Sequence, residues 1–152
     1  IYKLNTSNLI FDFARKLSKL TGRKIVALNF DVVDQMKTPD IKGVYSASVE
    51  EFLGYIKYAD YVVTNSFHGT AFSVIFHKDF YVEALQKDFK PNDRVESLLC
   101  LTGVDGCKVK TLEDCRLNVS RDFNFADDQI RKQYIKTNQY FERVLNEDGR
   151  SF

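Results

Sequence analysis

Residues 58–84, YADYVVTNSFHGTAFSVIFHKDFYVEA, decide the fold of this chain. An apolar run ends at Asn65, a polar turn with a serine and a histidine follows, and a helix rich in small residues leads to a second apolar run. This succession predicts strand, turn, helix and strand, which together form one βαβ unit. In such a unit the turn opens at the carboxyl edge of the sheet, where open α/β folds bind ligands. Function is therefore expected at the turn, residues 66–69.

The same alternation of strands and helices runs through the rest of the chain. Strands are predicted near residues 1–4, 24–29, 61–65, 80–84 and 108–109. Helices are predicted at 6–20, 48–59, 70–76, 93–102 and 126–146, and residues 30–45 are predicted to be a long loop. The sequence thus predicts an α/β fold, a Rossmann-like parallel sheet of about four or five strands flanked by helices.

Several helix ends carry recognisable signals. Thr6 or Ser7 can cap the first helix, and Gly22 stands where a left-handed C-terminal cap is expected. Ser48 and Glu51 have the spacing of a capping box at the start of the 48–59 helix. The buried stripe predicted for that helix consists of Val49, Phe52, Leu53 and Ile56.

Composition bounds the classes of protein to consider. A chain of 152 residues with 44% hydrophobic residues and a net charge of +1 is typical of one ordinary globular domain. The near-zero charge argues against nucleic-acid binding. We find no apolar stretch of membrane-span length and no signal peptide, and the opening inside an apolar run suggests a piece of a longer protein. Cys100, Cys107 and Cys115 have no metal-ligand spacing, so no metal site is predicted.

Topology predicts which side chains meet. Right-handed crossovers place the carboxyl ends of parallel strands and the starts of the following helices along one rim. Ser66, His68 and Gly69 should therefore converge with Glu83 and Arg94, beside the loops at Asn5 and at 30–31. A hydroxyl, an imidazole, a carboxylate, a guanidinium and the N–H groups of a helix start would form an anion and sugar site.

Each member of this set also has a purely structural interpretation. His68 could simply pack at the start of its helix, and an N-cap role would explain Ser66 fully. Glu83 could be solvated at a strand end, whereas Arg94 stands at the start of a helix, where a cation is mildly unfavourable, which suggests a grip on an anion. His77, at the far end of the same helix as His68, is predicted to be structural.

The segment also resembles a known family. The run SFHG at 66–69, preceded by ADYVVTN at 59–65 and followed by TAFS at 70–73, resembles the signature of polysaccharide pyruvyl transferases. The run EEFL at 50–53 and Arg94 with its downstream Leu98-Leu99 pair are similar to that family as well. The resemblance is tight over residues 46–104 and loose elsewhere.

The resemblance implies an enzyme with two Rossmann-like domains in a glycosyltransferase-B-like arrangement. Such enzymes transfer a pyruvyl group from phosphoenolpyruvate to sugar hydroxyls, usually as a ketal, and the donor is a substrate, so no cofactor is expected. Residues 1–152 would be the C-terminal domain alone, partnered by a missing N-terminal domain of the same chain and inactive without it. The implied acceptor is a sugar or lipid-linked glycan of cell-surface or exopolysaccharide synthesis. The implied location is cytoplasmic or peripheral to the inner face of the membrane.

By the same resemblance, His68 is the catalytic candidate, for phosphate contact or proton transfer, and Arg94 would bind the donor anion. Ser66, Gly69 and Glu83 complete the predicted substrate-binding set. Two other functions stay open. One is a glycosyltransferase-B-type domain that uses a nucleotide sugar, with Glu83 on the ribose, and the other is a non-catalytic α/β binding module.

Overall fold

The elements of the structure, a computed structural model, are defined over residues 1–4, 7–83, 93–117 and 121–147. The helices are α1 (Asn8–Thr21), α2 (Val32–Lys37), α3 (Val49–Tyr58), α4 (Phe67–Ile75), α5 (Asp93–Thr102) and α6 (Phe123–Glu147). The strands are β1 (Val26–Leu28), β2 (Lys42–Val44), β3 (Tyr61–Thr64), β4 (Asp79–Glu83) and β5 (Lys108–Val109). Short 3-10 turns stand at Asp105–Cys107 and Leu112–Asp114.

Every strand pair formed by the described residues is parallel. β1 pairs with β2, and β4 lies between β3 and β5. Tyr2 connects the two groups, because it forms parallel bridges with Leu28 of β1 and with Thr64 of β3. The order across the sheet is therefore β2, β1, the N-terminal segment (residues 1–3), β3, β4 and β5. Counted along the chain this is 3-2-1-4-5-6, the order of a doubly wound Rossmann-type sheet, and the predicted parallel α/β fold is confirmed.

Helices cover both faces of the sheet. Val63 of β3 and Tyr81 of β4 pack with the buried side of α1. Their neighbours Val62, Phe80 and Val82 pack instead with residues of α3, α4, α5 and the start of α6. Successive side chains of a strand point to opposite faces, so the apolar runs at 61–64 and 79–83 fill both layers at once.

The prediction of a loop at 30–45 is wrong, because this stretch forms α2 and β2. Asp31 and Asp34 form a capping box, in which Asp34 N donates to Asp31 Oδ1 at 2.8 Å and Asp31 N donates to Asp34 Oδ2 at 3.2 Å. Gly43 lies inside β2. A Cβ on it would collide with the ring of Phe30, so packing across the sheet demands the glycine.

Some predictions of helix caps, strands and buried residues are confirmed, and others are wrong. The left-handed cap at Gly22 (φ 70°), the capping box at Ser48 and the strand at 108–109 are confirmed. The strand predicted at 1–4 is reduced to the bridges of Tyr2. Val49 is 70% exposed and does not belong to a buried stripe, because its side chain points to solvent in the first turn of α3.

Further differences concern the first and fourth helices. α4 begins at Phe67 and not at Thr70, so the polar turn is itself helical. Ser7 occupies the N-cap position of α1 but makes no capping hydrogen bond, since its hydroxyl is used elsewhere. Thr6, Asn5 and the polar loop at 86–92 lie outside the described residues.

A buried ion pair ties the N-terminal segment to α2. Lys3 Nζ lies 2.7 Å from Asp34 Oδ2, and the two side chains are only 6% and 1% exposed. The hydrogen bond from Asp34 N–H lowers the pKa of neighbouring Asp31 below its ordinary value, and the charge of Lys3 adds to the shift. Charge thereby holds the N-terminal segment to α2, in addition to the backbone pairing that joins this segment to β1.

Breaking this pair should cost far more than breaking an exposed one. Lys3→Met leaves the Asp34 carboxylate buried without its cation, so we expect a loss of about 3–5 kcal/mol in the free energy of unfolding. Arg15→Ala removes the pair with Asp40, whose side chains are 31% and 53% exposed, and should cost less than about 1 kcal/mol. Urea denaturation measures both, and similar losses in the two variants would contradict this account of Lys3.

Candidate functional site

The chain reverses its direction across the sheet between the N-terminal segment and β3. From residues 1–3 it winds outward through β1 and β2, returns through α3, and continues to β4 and β5 on the other side. In open parallel sheets the ligand binds outside the carboxyl ends of the strands at such a switch point. Leu4 and Ser7 flank it on one side and residues 65–68 on the other, and the second segment contains most of the predicted turn.

The end of β3 fixes how these two segments face each other. Thr64 Oγ1 donates to Tyr2 O at 2.6 Å, and Asn65 Oδ1 accepts from Leu4 N at 2.7 Å. Thr64 and Asn65 are fully buried. Side chains of β3 therefore extend the pairing of the two strands past the last residues of the sheet, and they set the separation of the loops on either side.

α4 starts at this point without a side-chain cap. Ser66 has the extended backbone of an N-cap residue (φ −103°, ψ 138°), but its side chain makes no capping hydrogen bond. Its N–H donates to Thr64 Oγ1 at 3.0 Å, and its carbonyl accepts from Thr70 N and Oγ1. The predicted position of Ser66 is confirmed and its predicted side-chain cap is wrong. The positive end of the α4 dipole is left to other partners at the rim.

Gly69 allows α4 to approach the sheet closely. A Cβ at this position would collide with Thr64 Oγ1 and lie 3.0 Å from Tyr2 Cδ1. Neither neighbour can retreat easily, because the Thr64 hydroxyl is committed to two hydrogen bonds. Gly69 thus serves the packing of the helix start.

His68 and Arg94 meet around one aromatic ring. The Arg94 guanidinium carbon lies 5.3 Å from the centroid of the Phe67 ring, and the His68 ring meets the same ring edge-on at 5.8 Å. Both polar side chains are exposed, whereas Phe67 is half-buried and packs against the core. One face of the Phe67 ring holds the arginine, which accounts for a cation at the start of α5.

Glu83 lies apart from this pair. It is the last residue of β4, and Ser7 Oγ donates to its Oε1 at 2.8 Å. Alternation along β4 puts Glu83 on the same face as Tyr81, which packs with α1, whereas α4 and α5 cover the other face. The predicted rim set is therefore divided between the two faces of the sheet. His68 and Arg94 both contact Phe67, and Glu83 is joined to Ser7.

His77 is remote from this rim, as predicted. It follows α4 with a left-handed backbone (φ 50°), its Nε2 lies 2.9 Å from Asp127 Oδ1, and its ring stacks on Phe123 at 5.0 Å. These contacts fasten the start of α6, and they explain the residue without any ligand.

With this geometry described, sequence comparison identifies the family. The family model described as polysaccharide pyruvyl transferase matches residues 7–86, which is more than half of the chain. The chain belongs to the polysaccharide pyruvyl transferase family. No curated protein and no solved structure gives a significant match.

The match bears on the site residue by residue. It spans α1 to β4 and so includes Ser7, Ser66, His68, Gly69 and Glu83, whereas α5 and its Arg94 lie beyond it. The family is one of transferases, and its description implies a polysaccharide acceptor. In the described parts of the chain, no helix is long and apolar enough to cross a membrane, and no cluster of three or more potential metal ligands occurs.

Sequence analysis missed the contribution of three residues to the geometry of the site. Ser7 was considered only as a cap, Asn65 only as the end of a strand, and Phe67 only as core. Asn65 and Ser7 act through hydrogen-bond partners that lie 61 and 76 residues away in the sequence. A signal was available for Ser7, because the switch-point rule places the start of α1 opposite the turn after β3.

The fit of Gly69 leads to a stability prediction with an internal control. Gly69→Ala should lower the free energy of unfolding by about 1–3 kcal/mol, because the new methyl overpacks a fixed hydroxyl. Gly54→Ala, inside α3 with no atom within 4 Å of the added Cβ, should instead raise it by about 0.5–1 kcal/mol. Urea denaturation of both variants checks this, and a neutral Gly69→Ala would show that the helix start can shift.

Proposed function

We propose that this chain is the C-terminal, Rossmann-like domain of a two-domain polysaccharide pyruvyl transferase with a glycosyltransferase-B-like arrangement. It transfers a pyruvyl group from phosphoenolpyruvate to sugar hydroxyls of a cell-surface or exopolysaccharide precursor. The observation that carries the proposal is that His68 and Arg94 both contact the Phe67 ring at the start of α4, where Ser66 makes no side-chain cap. This group stands at the switch point, and its histidine lies inside the segment that the family model matches.

The chemistry of the donor explains why these groups suit it. Phosphoenolpyruvate is an enol phosphate that also carries a carboxylate, so its site needs cations or N–H donors for two anionic groups. The start of α4 supplies a positive dipole end, and Arg94 supplies a planar guanidinium that can bind an oxyanion through two hydrogen bonds. Phe67 holds that guanidinium in place before the donor arrives, which lowers the entropy lost on binding.

The reaction also needs a proton carrier. A proton must be added to the methylene carbon of the donor, which leaves an oxocarbenium-like centre at the adjacent carbon. One sugar hydroxyl adds to that centre and gives up its proton, and a second hydroxyl displaces phosphate and closes the ketal. His68, exposed at the rim, is our candidate for proton transfer or for contact with the departing phosphate.

The remaining groups come from outside this chain. In the proposed arrangement the catalytic cleft lies between the two domains, and the N-terminal domain supplies further cations and most contacts to the acceptor. The donor is a substrate, and no cofactor is part of the proposal. The enzyme would work in the cytoplasm, on glycan precursors at the inner face of the membrane.

The two histidines provide a matched test. In the full-length protein, His68→Ala should reduce turnover of phosphoenolpyruvate by about a hundredfold or more, the usual scale for a general acid–base group. His77→Ala should leave turnover nearly intact, because His77 contacts only α6 and its neighbours. Phosphate release with glycan acceptors measures both. Wild-type turnover in His68→Ala would contradict the catalytic role of His68, whereas no turnover by the unaltered full-length protein would favour the non-catalytic binding module.

The two-domain arrangement leads to a second prediction. Residues 1–152 alone should give no detectable pyruvyl transfer, and adding the separately expressed N-terminal domain or using the full-length protein should restore it. Transfer by the isolated chain at the rate of the full-length protein would contradict a cleft shared between domains.

A further inference from the structure

Glu83 carries a buried oxygen that no described residue pairs. Its Oε1 accepts from Ser7 Oγ at 2.8 Å, whereas its Oε2 is buried and has no hydrogen-bond partner among the described residues. A carboxylate oxygen removed from water without a donor destabilises the folded state. Such an atom at the carboxyl edge of a parallel sheet indicates a place for a donor that arrives with a ligand.

The position of this oxygen separates it from the anion site. The Ser7–Glu83 bond connects the start of α1 to the end of β4, on the α1 face of the sheet. His68 and Arg94 stand at the starts of α4 and α5, which cover the opposite face. The partly buried hydrogen bond from Leu4 N to Asn65 Oδ1 lies at the switch point between the two groups. The rim is therefore cationic on one face and carboxylate-bearing on the other.

Charge decides which ligand fits the second group. A phosphate or a carboxylate would be repelled by Glu83, whereas a neutral hydroxyl can donate to Oε2 and satisfy it. We propose that Glu83 and Ser7 form a subsite for a sugar hydroxyl, which donates to Glu83 Oε2 while Ser7 holds the carboxylate in position. Naming that sugar as the acceptor rests on the proposed function. The same chemistry would fit the ribose of a nucleotide donor.

A purely structural role makes opposite predictions. If Glu83 only ties α1 to β4, then Glu83→Met removes a useful bond and lowers the melting temperature. If Glu83 serves a ligand, Glu83→Met removes a buried unpaired oxygen, so the melting temperature stays level or rises while sugar binding is lost. Stability and binding therefore move in different directions under the two interpretations.

The experiment uses the full-length protein and three probes: methyl glycosides of the gluco, galacto and manno series, uridine diphosphate, and phosphoenolpyruvate. Binding is measured by calorimetry or saturation-transfer NMR, and thermal melting is recorded without ligand. We expect Glu83→Met to weaken at least one glycoside by about tenfold or more without loss of melting temperature. Phosphoenolpyruvate binding should not change, and Ser7→Ala, which keeps the carboxylate, should have a smaller effect.

The three kinds of probe distinguish the ways in which the proposal could fail. A Glu83-dependent affinity for uridine diphosphate, with none for the glycosides, assigns the hydroxyl to ribose and contradicts the proposed pyruvyl transfer while the subsite stands. Absence of phosphoenolpyruvate binding with Glu83-dependent glycoside binding also contradicts the proposed pyruvyl transfer, and it leaves the subsite assigned to a glycoside hydroxyl. A lower melting temperature with unchanged binding of every probe overturns the subsite, as does a wild-type protein that binds neither glycosides nor uridine diphosphate.

Discussion

The Thr64 hydroxyl is the contact on which the arrangement of the rim depends. It donates to the carbonyl of Tyr2, accepts from Ser66 N–H, and is the atom that Gly69 must approach. One buried oxygen thus joins the N-terminal segment, the end of β3 and the start of α4. Because a hydroxyl can donate once and still accept, a threonine makes both contacts, and a valine of the same shape could make neither.

From this junction the rest of the site follows. With the start of α4 fixed, Phe67 turns one face toward α5, and Arg94 rests on it beside His68. Ser7, which begins α1 across the switch point, reaches Glu83 on the other face. A sheet edge that carries cationic groups on one face and a carboxylate on the other can hold an anionic donor and a neutral acceptor without mixing the two.

The features that could be predicted from the sequence are those with local causes. The βαβ unit at 58–84 follows from two apolar runs and a helix of small residues, and the meeting of His68 with Arg94 follows from the rule that strand ends share one rim. The division of Glu83 from that pair follows from strand alternation, which the prediction of a single converging set neglected. The strand and helix at 30–45 were not predicted, because contacts between residues far apart in the sequence help to stabilise them. Lys3 neutralises Asp34, and the ring of Phe30 demands Gly43.

The central claim is that the start of α4 holds the anionic donor. A crystal structure of the full-length protein with phosphoenolpyruvate tests it directly. We predict that one anionic group of the donor lies within about 3 Å of the N–H groups at the start of α4 and of the His68 ring, and that Arg94 binds the other. Phosphoenolpyruvate bound away from this rim, with His68 and Arg94 free of it, would contradict the claim.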